Sequence, residues 1–308
     1  MAEPRPSPVV PIVLAIIVLA AGIGGIGFLY YEQHHEGSAS SGLVVQVGDN
    51  VTVNYIGLFA NGPQQGRVFD TSEYSIALNN VSWPKSLQYT SRGGQPSDYS
   101  PLPVYVGSSA PSGGYSFGGQ TFSTVVPGFW QGLVGLPGNR THYITVPPSL
   151  GYSFVNASCL ITGQLVTTTP VLVTVPPGLF AALFPNVTMI PGVFYTDPVY
   201  GWNDTVLSAN ASAVTYENLP TLGMTTYPNG WPVVVTNITT STITLQSQLT
   251  PAQAGSVAGH GTADVCGTST YIVTQVNLGT GTYVADYNQE VAGQTLIFIV
   301  SVVDIFPA

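Results

Sequence analysis

Side chains able to do acid, base or metal chemistry are scarce in this chain of 308 residues, which carries five Lys and Arg, 14 Asp and Glu, four His and two Cys. The adjacent His34 and His35 have no third ligand at ligand spacing and read as a polar flank rather than a metal site. Cys159 and Cys266 stand far apart and form no Cys-X-X-Cys pair. No cofactor or metal is expected. What the chain offers instead is a series of aromatic and β-branched motifs. They are Gly48-Asp49-Asn50-Val51-Thr52-Val53-Asn54-Tyr55-Ile56-Gly57, then Val68-Phe69-Asp70-Thr71, then Val125-Val126-Pro127-Gly128-Phe129-Trp130-Gln131-Gly132-Leu133. Two more follow: Tyr143-Ile144-Thr145-Val146-Pro147-Pro148-Ser149-Leu150-Gly151-Tyr152, and, far downstream, Val291-Ala292-Gly293-Gln294-Thr295-Leu296-Ile297-Phe298-Ile299-Val300. Residues of these types suit chemistry that needs no nucleophile. An apolar surface strips water from a polar group, and a few fixed donors hold that group as its shape changes.

In this order and local context, the motifs resemble those of the FKBP family of peptidyl-prolyl cis-trans isomerases. The gap before the last motif resembles the SlyD-like, archaeal long type, in which a domain is inserted in the flap. The resemblance covers about a third of the chain. Rotation about an Xaa-Pro bond crosses a barrier of about 18–20 kcal/mol set by amide resonance. A twisted amide is less polar than a planar one, so an aromatic pocket and fixed donors suffice to help it. The resemblance implies that Tyr55, Phe69, Asp70, Val125, Val126, Phe129, Tyr152 and Phe298 form the catalytic pocket. It further implies that the Val126 N–H and the Tyr152 hydroxyl bond the substrate, and that Phe129 stands where many members have Trp. Tyr55 and Phe298 taken singly read as core packing, and it is their order and context with the other motifs that points to a pocket; Asp70 reads equally as a turn-stabilising carboxylate. The implied partners are proline-containing unfolded or nascent polypeptides, which the inserted domain would grip as a chaperone.

The elements that would position these residues follow from pattern. Residues 44–53 and 55–59 alternate or run apolar with β-branched side chains and predict strands. Asn61-Gly62 signals a turn, and 67–71 predicts a returning strand. Residues 126–136 predict the one short helix of this part, with Pro127 acceptable in the first turn. Strands are expected at 143–146 and 295–305. One helix across an antiparallel sheet is an α+β, mainly β layout. Residues 73–122, rich in Gly, Pro, Ser and Tyr, form an extra block with few element signals. The expected boundaries are an FKBP-like first part at 43–155, an inserted β-rich domain at 156–283, and an FKBP-like second part at 284–308.

The insert is Thr- and Val-rich, which favours strands at 165–175, 214–216, 233–249 and 270–276. A short apolar helix is expected at 178–184, either as core or as a surface for client chains. Cys159 and Cys266 flank most of the insert and would pair as a disulfide in an oxidising compartment. Two buried free thiols are the alternative.

Composition bounds the setting. Only 6% of residues are charged, against a usual figure of roughly 25%. Arg5, Arg67, Lys85, Arg92 and Arg140 are the only cations, and the net charge is −9. Phosphate binding needs clustered cations, so nucleic acid is not an expected partner. So few charges would also suit acidic surroundings. Residues 9–31 carry no charge and are long enough, at about 1.5 Å per residue, to span roughly 30 Å of hydrocarbon. They predict an N-terminal transmembrane helix. Arg5 precedes it and Glu32 and Glu36 follow, which places residues 1–8 in the cytoplasm. Residues 32–42 would be a tether, and the body would lie outside the cell membrane. A cleaved signal peptide is the alternative. Sequons at Asn80, Asn156, Asn186, Asn203, Asn210 and Asn237 are candidate glycosylation sites, with Asn50 and Asn139 less suited. Oligomeric state is not legible.

Overall fold

The ten-residue strand β1, Asn50–Phe59, organises the first part of the fold. Its alternating Val51, Val53 and Tyr55 are all buried, as period-two patterning requires. The computed structural model describes residues 42–308 except 111–114, 118, 119 and 139. It divides into two units: Met1–Val155 with Gln289–Ala308, and Asn156–Asn288.

In the first unit β1 is followed by β2, Val68–Thr71, and helix α1, Tyr74–Leu78. Next come β3, Leu102–Tyr105, and the small hairpin of β4, Tyr115–Phe117, with β5, Gln120–Phe122. Helix α2, Pro127–Leu133, and β6, Thr141–Val146, complete the stretch before the second unit. The chain returns in its last strand, β19, Leu296–Phe306. One edge of β1 pairs along its whole length with β19, which in turn pairs with β6. The other edge is shared: β3 takes Asn50 to Val53, and β2 takes Ile56 to Leu58. All these pairings are antiparallel. Helix α2 packs beside β6, and its Phe129 and Leu133 are buried in the core with Val53, Ile144, Leu296 and Val300.

Several expected boundaries differ from the observed ones. Val44 makes only an isolated bridge with Pro137, so the first strand starts at Asn50 and not near residue 44. It then runs unbroken through Asn54. The helix is shorter than 126–136 because Gly135 turns the chain at φ +85°, a conformation that glycine adopts without strain.

The second unit holds three four-stranded antiparallel sheets. Its strands are β7, Leu160–Gln164; β8, Val166–Pro170; β9, Leu172–Val175; β10, Phe194–Thr196; β11, Asn203–Ala209; and β12, Val214–Leu219. They continue as β13, Thr225–Thr226; β14, Val233–Ile238; β15, Thr242–Ser247; β16, Ala258–Val265; β17, Thr268–Asn277; and β18, Thr282–Asp286. The sheet orders are β10-β11-β12-β9, β13-β14-β15-β8 and β16-β17-β18-β7. The run 165–175, expected as one strand, is two strands in different sheets. Buried Val171 marks the crossing, with its N–H on Ser241 and its carbonyl taken by Asn218. Helix α3, Pro177–Leu183, lays Phe180 against Phe184, Tyr195 and Tyr216, so this side of the segment is core. The chain enters and leaves the unit side by side. The Asn156 N–H donates to Asn288 Oδ1 at 2.9 Å, and Asn288 Nδ2 returns a bond to the Asn156 carbonyl at 3.1 Å. Cys159 and Cys266 are joined as a disulfide, Cα–Cα 5.9 Å.

Two expectations about fold class need correction. The α+β layout with one short helix is replaced by a mainly β molecule of several antiparallel sheets. It has three α-helices among the described residues, of five, seven and seven residues. Thr and Val dominate the rest, and their branched side chains favour the pleated strand over longer helices. The expected transmembrane helix is not supported either. No helix among the described residues is long and apolar enough to cross a membrane; seven residues reach only about 10 Å. Residues 9–31, like His34 and His35, lie outside the described residues.

Candidate active site

β1, β2, α2 and β19 bring four aromatic rings together. Phe298 is the hub. Its ring meets Phe129 at 4.8 Å and Phe69 at 5.6 Å, both edge to face, and Tyr55 at 6.1 Å. Tyr55 also meets Phe129 edge-on at 6.1 Å. Such geometry sets the positive ring edge against the negative face. Tyr55, Phe129 and Phe298 are buried, at 4%, 3% and 5% exposure, while Phe69 is half-buried. Gly57 makes room for Phe69, because a Cβ there would stand 2.5 Å from the ring. Val125 and Val126 are half-buried against the same core.

Polar groups gather at one edge of the rings. The Tyr55 hydroxyl donates to Asp70 Oδ2 and accepts from the Arg92 guanidinium. Arg92 also contacts both Asp70 oxygens at 3.1 Å and lies 5.6 Å from the Tyr55 ring centroid. Burial, followed by the Asp70 charge, pushes the Tyr55 phenol well above its ordinary pKa, so it stays a donor. Asp70 also stabilises its own turn, its Oδ1 accepting the Thr71 N–H at 2.8 Å. The turn-stabilising role open to it from sequence is therefore present, beside its bond to Tyr55. Tyr152 is 38% exposed and close enough to feel the Asp70 charge, which with burial raises its pKa. Its hydroxyl has no hydrogen-bond partner among the described residues, and its carbonyl accepts the Gly293 N–H at 2.7 Å. Val126 caps α2 with its carbonyl, but among the described residues its N–H is free.

Of the eight residues expected at the site, Tyr55, Phe69, Phe129 and Phe298 are in ring contact, Asp70 bonds Tyr55, Val125 and Val126 pack on the same core, and Tyr152 lies near Asp70. Arg92 was missed. It sits 22 residues beyond Asp70 in the irregular block. Tyr99 holds it there, its hydroxyl accepting the Arg92 N–H at 3.2 Å and sharing a 2.9 Å bond with Ser91. The lone arginine in that block is the signal that could have found it. Glu290, on the returning chain, fastens the same block. It accepts from Ser86 and from the Gln88 N–H, and its own N–H reaches Gln88 Oε1 at 3.1 Å. Burial raises its carboxyl pKa. No group of three or more metal-ligating side chains exists among the described residues.

Of the candidate glycosylation sites, Asn80, Asn186, Asn203, Asn210 and Asn237 are exposed. Asn156 is half-buried, and its amide oxygen accepts from the Ser158 N–H and hydroxyl. Asn50 is buried, and Asn139 lies outside the described residues.

Tyr55→Phe should cost about 1–2 kcal/mol of stability in urea unfolding, since it removes a hydrogen bond to a carboxylate but keeps the packed ring. No change would show that Arg92 and Asp70 do not need the hydroxyl.

No protein-family model matches this chain, and no curated protein matches it.

Proposed function

We propose that the first unit is a peptidyl-prolyl cis-trans isomerase of FKBP type. The carrying observation is the free N–H of Val126, a residue that packs against the core holding the rings of Tyr55, Phe129 and Phe298. In this reading the substrate prolyl ring rests on the aromatic cluster, which takes water from the amide. The Val126 N–H and the Tyr152 hydroxyl hold the neighbouring carbonyl oxygens as the bond twists. Arg92 and Asp70 lock Tyr55 in place, so the surface does not rearrange as the substrate turns. No proton is transferred and no covalent bond is made. The second unit would present unfolded proline-containing chains as a chaperone. The Cys159–Cys266 disulfide supports an extracytoplasmic setting, where clients would be secreted or surface proteins.

A second reading has its own observation. Three of the four rings are nearly filled by one another, at 5% exposure or less. This favours a binding or structural envelope protein without catalysis.

The test is cis/trans exchange in a short Xaa-Pro peptide, followed by NMR at acidic and neutral pH. Val126 has φ −54° and ψ 141°, which proline adopts without strain. Val126→Pro deletes only the N–H and part of the side chain. It should slow exchange about tenfold, the worth of one hydrogen bond of about 1.4 kcal/mol. Val126→Ala keeps the N–H and should stay near the parent. No acceleration by the folded parent would leave the binding reading.

A further inference from the structure

We propose that the second unit folds around a proton held on Asp204, so that its sheets are tightest in acid and loosen as the medium approaches neutrality. Asp204 is the second residue of β11 and has no exposure to solvent. It pairs with Tyr195 on one side and Asn218 on the other, which sets all three on the face packed against α3. Neither carboxyl oxygen has a hydrogen-bond partner, and the Tyr195 hydroxyl is likewise buried and unpaired. Asn218 cannot help. Its Oδ1 accepts from the Trp202 indole at 3.4 Å, its Nδ2 donates to the Pro170 carbonyl at 2.8 Å, and no bond from it reaches either Asp204 oxygen. The Trp202 indole and the Leu219 N–H lie near enough to lower the proton affinity of Asp204, but neither forms a hydrogen bond to its oxygens. A bare carboxylate here would be a buried, unpaired charge, which is among the costliest things a fold can contain.

No cation offsets it. The titratable groups facing Asp204 are Asp197 from the preceding loop, Tyr195 on β10, and Tyr216 on β12. Strand β9 and helix α3 contribute none. Asp197 is itself buried, and its Oδ1 accepts the N–H groups of Val199 and Tyr200, both at 2.7 Å. The whole unit has no Lys or Arg. Glu217 pairs with Thr205 and so lies on the other face.

Burial, then the Asp197 charge, pushes the Asp204 carboxyl up to about 7. The sign follows from linkage. Below about pH 4 both folded and unfolded chains carry the proton, and the contribution is fully present. Between about pH 4 and 7 the unfolded chain has released it and the folded chain has not, so stability falls as pH rises. Above about pH 7 both are ionised and the contribution is gone. Over that window the unfolding constant should rise by about one to three powers of ten.

The test uses the full chain. Hydrogen exchange of amides in residues 203–219, corrected for intrinsic rates, is measured from pH 4.5 to 8 for the parent and Asp204→Asn. The parent should open about tenfold or more as pH rises, and the variant should be flat and better protected at pH 8. Equal slopes, or protection that improves with pH, would overturn the proposal. Should Asp204→Asn not fold, the carboxyl carbon resonance of Asp204 in the parent decides. Titration above pH 6 supports the proton, and titration near pH 4 overturns it. Calcium added at pH 8 provides one more arm. Recovery of the parent's protection by calcium would assign the site to a cation and sink the proton reading.

Discussion

Replacing both Cys159 and Cys266 with alanine should lower the stability of the second unit by about 4–5 kcal/mol. The bridge closes a loop with a sequence separation of 107. In the chain-entropy account, a loop of that length removes about that much freedom from the unfolded chain. The double alanine variant avoids leaving a hydroxyl at Cys159, which is buried. Urea unfolding of parent and variant under oxidising conditions measures the difference. The m-value should also rise, because the unbridged chain exposes more surface when it opens. A loss below about 1 kcal/mol would mean that the unfolded chain is already confined by residual structure, so the bridge removes little freedom from it. Cys159 also anchors the exit of the unit, since its carbonyl accepts the Tyr287 N–H at 2.9 Å. Exchange should therefore quicken first at Tyr287, beside the end of β18.

Phe298→Ala should be almost as damaging in the first unit, at about 3–5 kcal/mol. Phe298 touches Tyr55, Phe69 and Phe129, so its removal leaves a cavity that three rings must share. Phe298→Leu should cost less, because most of the volume is kept. The two variants also separate stability from activity. If Xaa-Pro exchange is catalysed, Phe298→Leu should fold and still lose part of its rate, because the edge-to-face support of Phe129 is gone. A folded Phe298→Leu variant with full rate would remove that ring from the proposed prolyl surface.

Much of the first unit could be read from local pattern. Val51, Val53 and Tyr55 alternate as a strand's core-facing residues must, although Thr52 and Ile56 between and beyond them are buried as well. Pro127 marks the start of a helix, although its end at Leu133, before Gly135, falls short of the expected 136. Leu296 to Ile305 alternates as a long buried strand. The second unit was less transparent. Residues 165–175 are uniformly β-forming, and nothing in propensity marks Val171 as the place where the chain changes sheet. Strand β11 was missed because Asn203-Asp204-Thr205 looks like a polar turn. Its burial is imposed by β10 and β12 on either side. The block 73–122 hid both α1 and the role of Arg92, since Gly and Pro erase periodicity there.

Composition and order along the chain were enough to establish the shortage of cations after Arg140, the single available cysteine pairing, and the series of aromatic motifs. These are covalent facts or local steric preferences, and they do not depend on what packs against what. The union of Tyr55, Asp70, Arg92 and Tyr152 at one edge, and the burial of Asp204 with no hydrogen bond to its carboxyl, belong to the folded chain. Both rest on long-range register. β1 is bulged where it meets β2 between Gly57 and Leu58, and β11 where it meets β12 between Val206 and Ser208. A slip of one residue would turn each of these side chains to the opposite face.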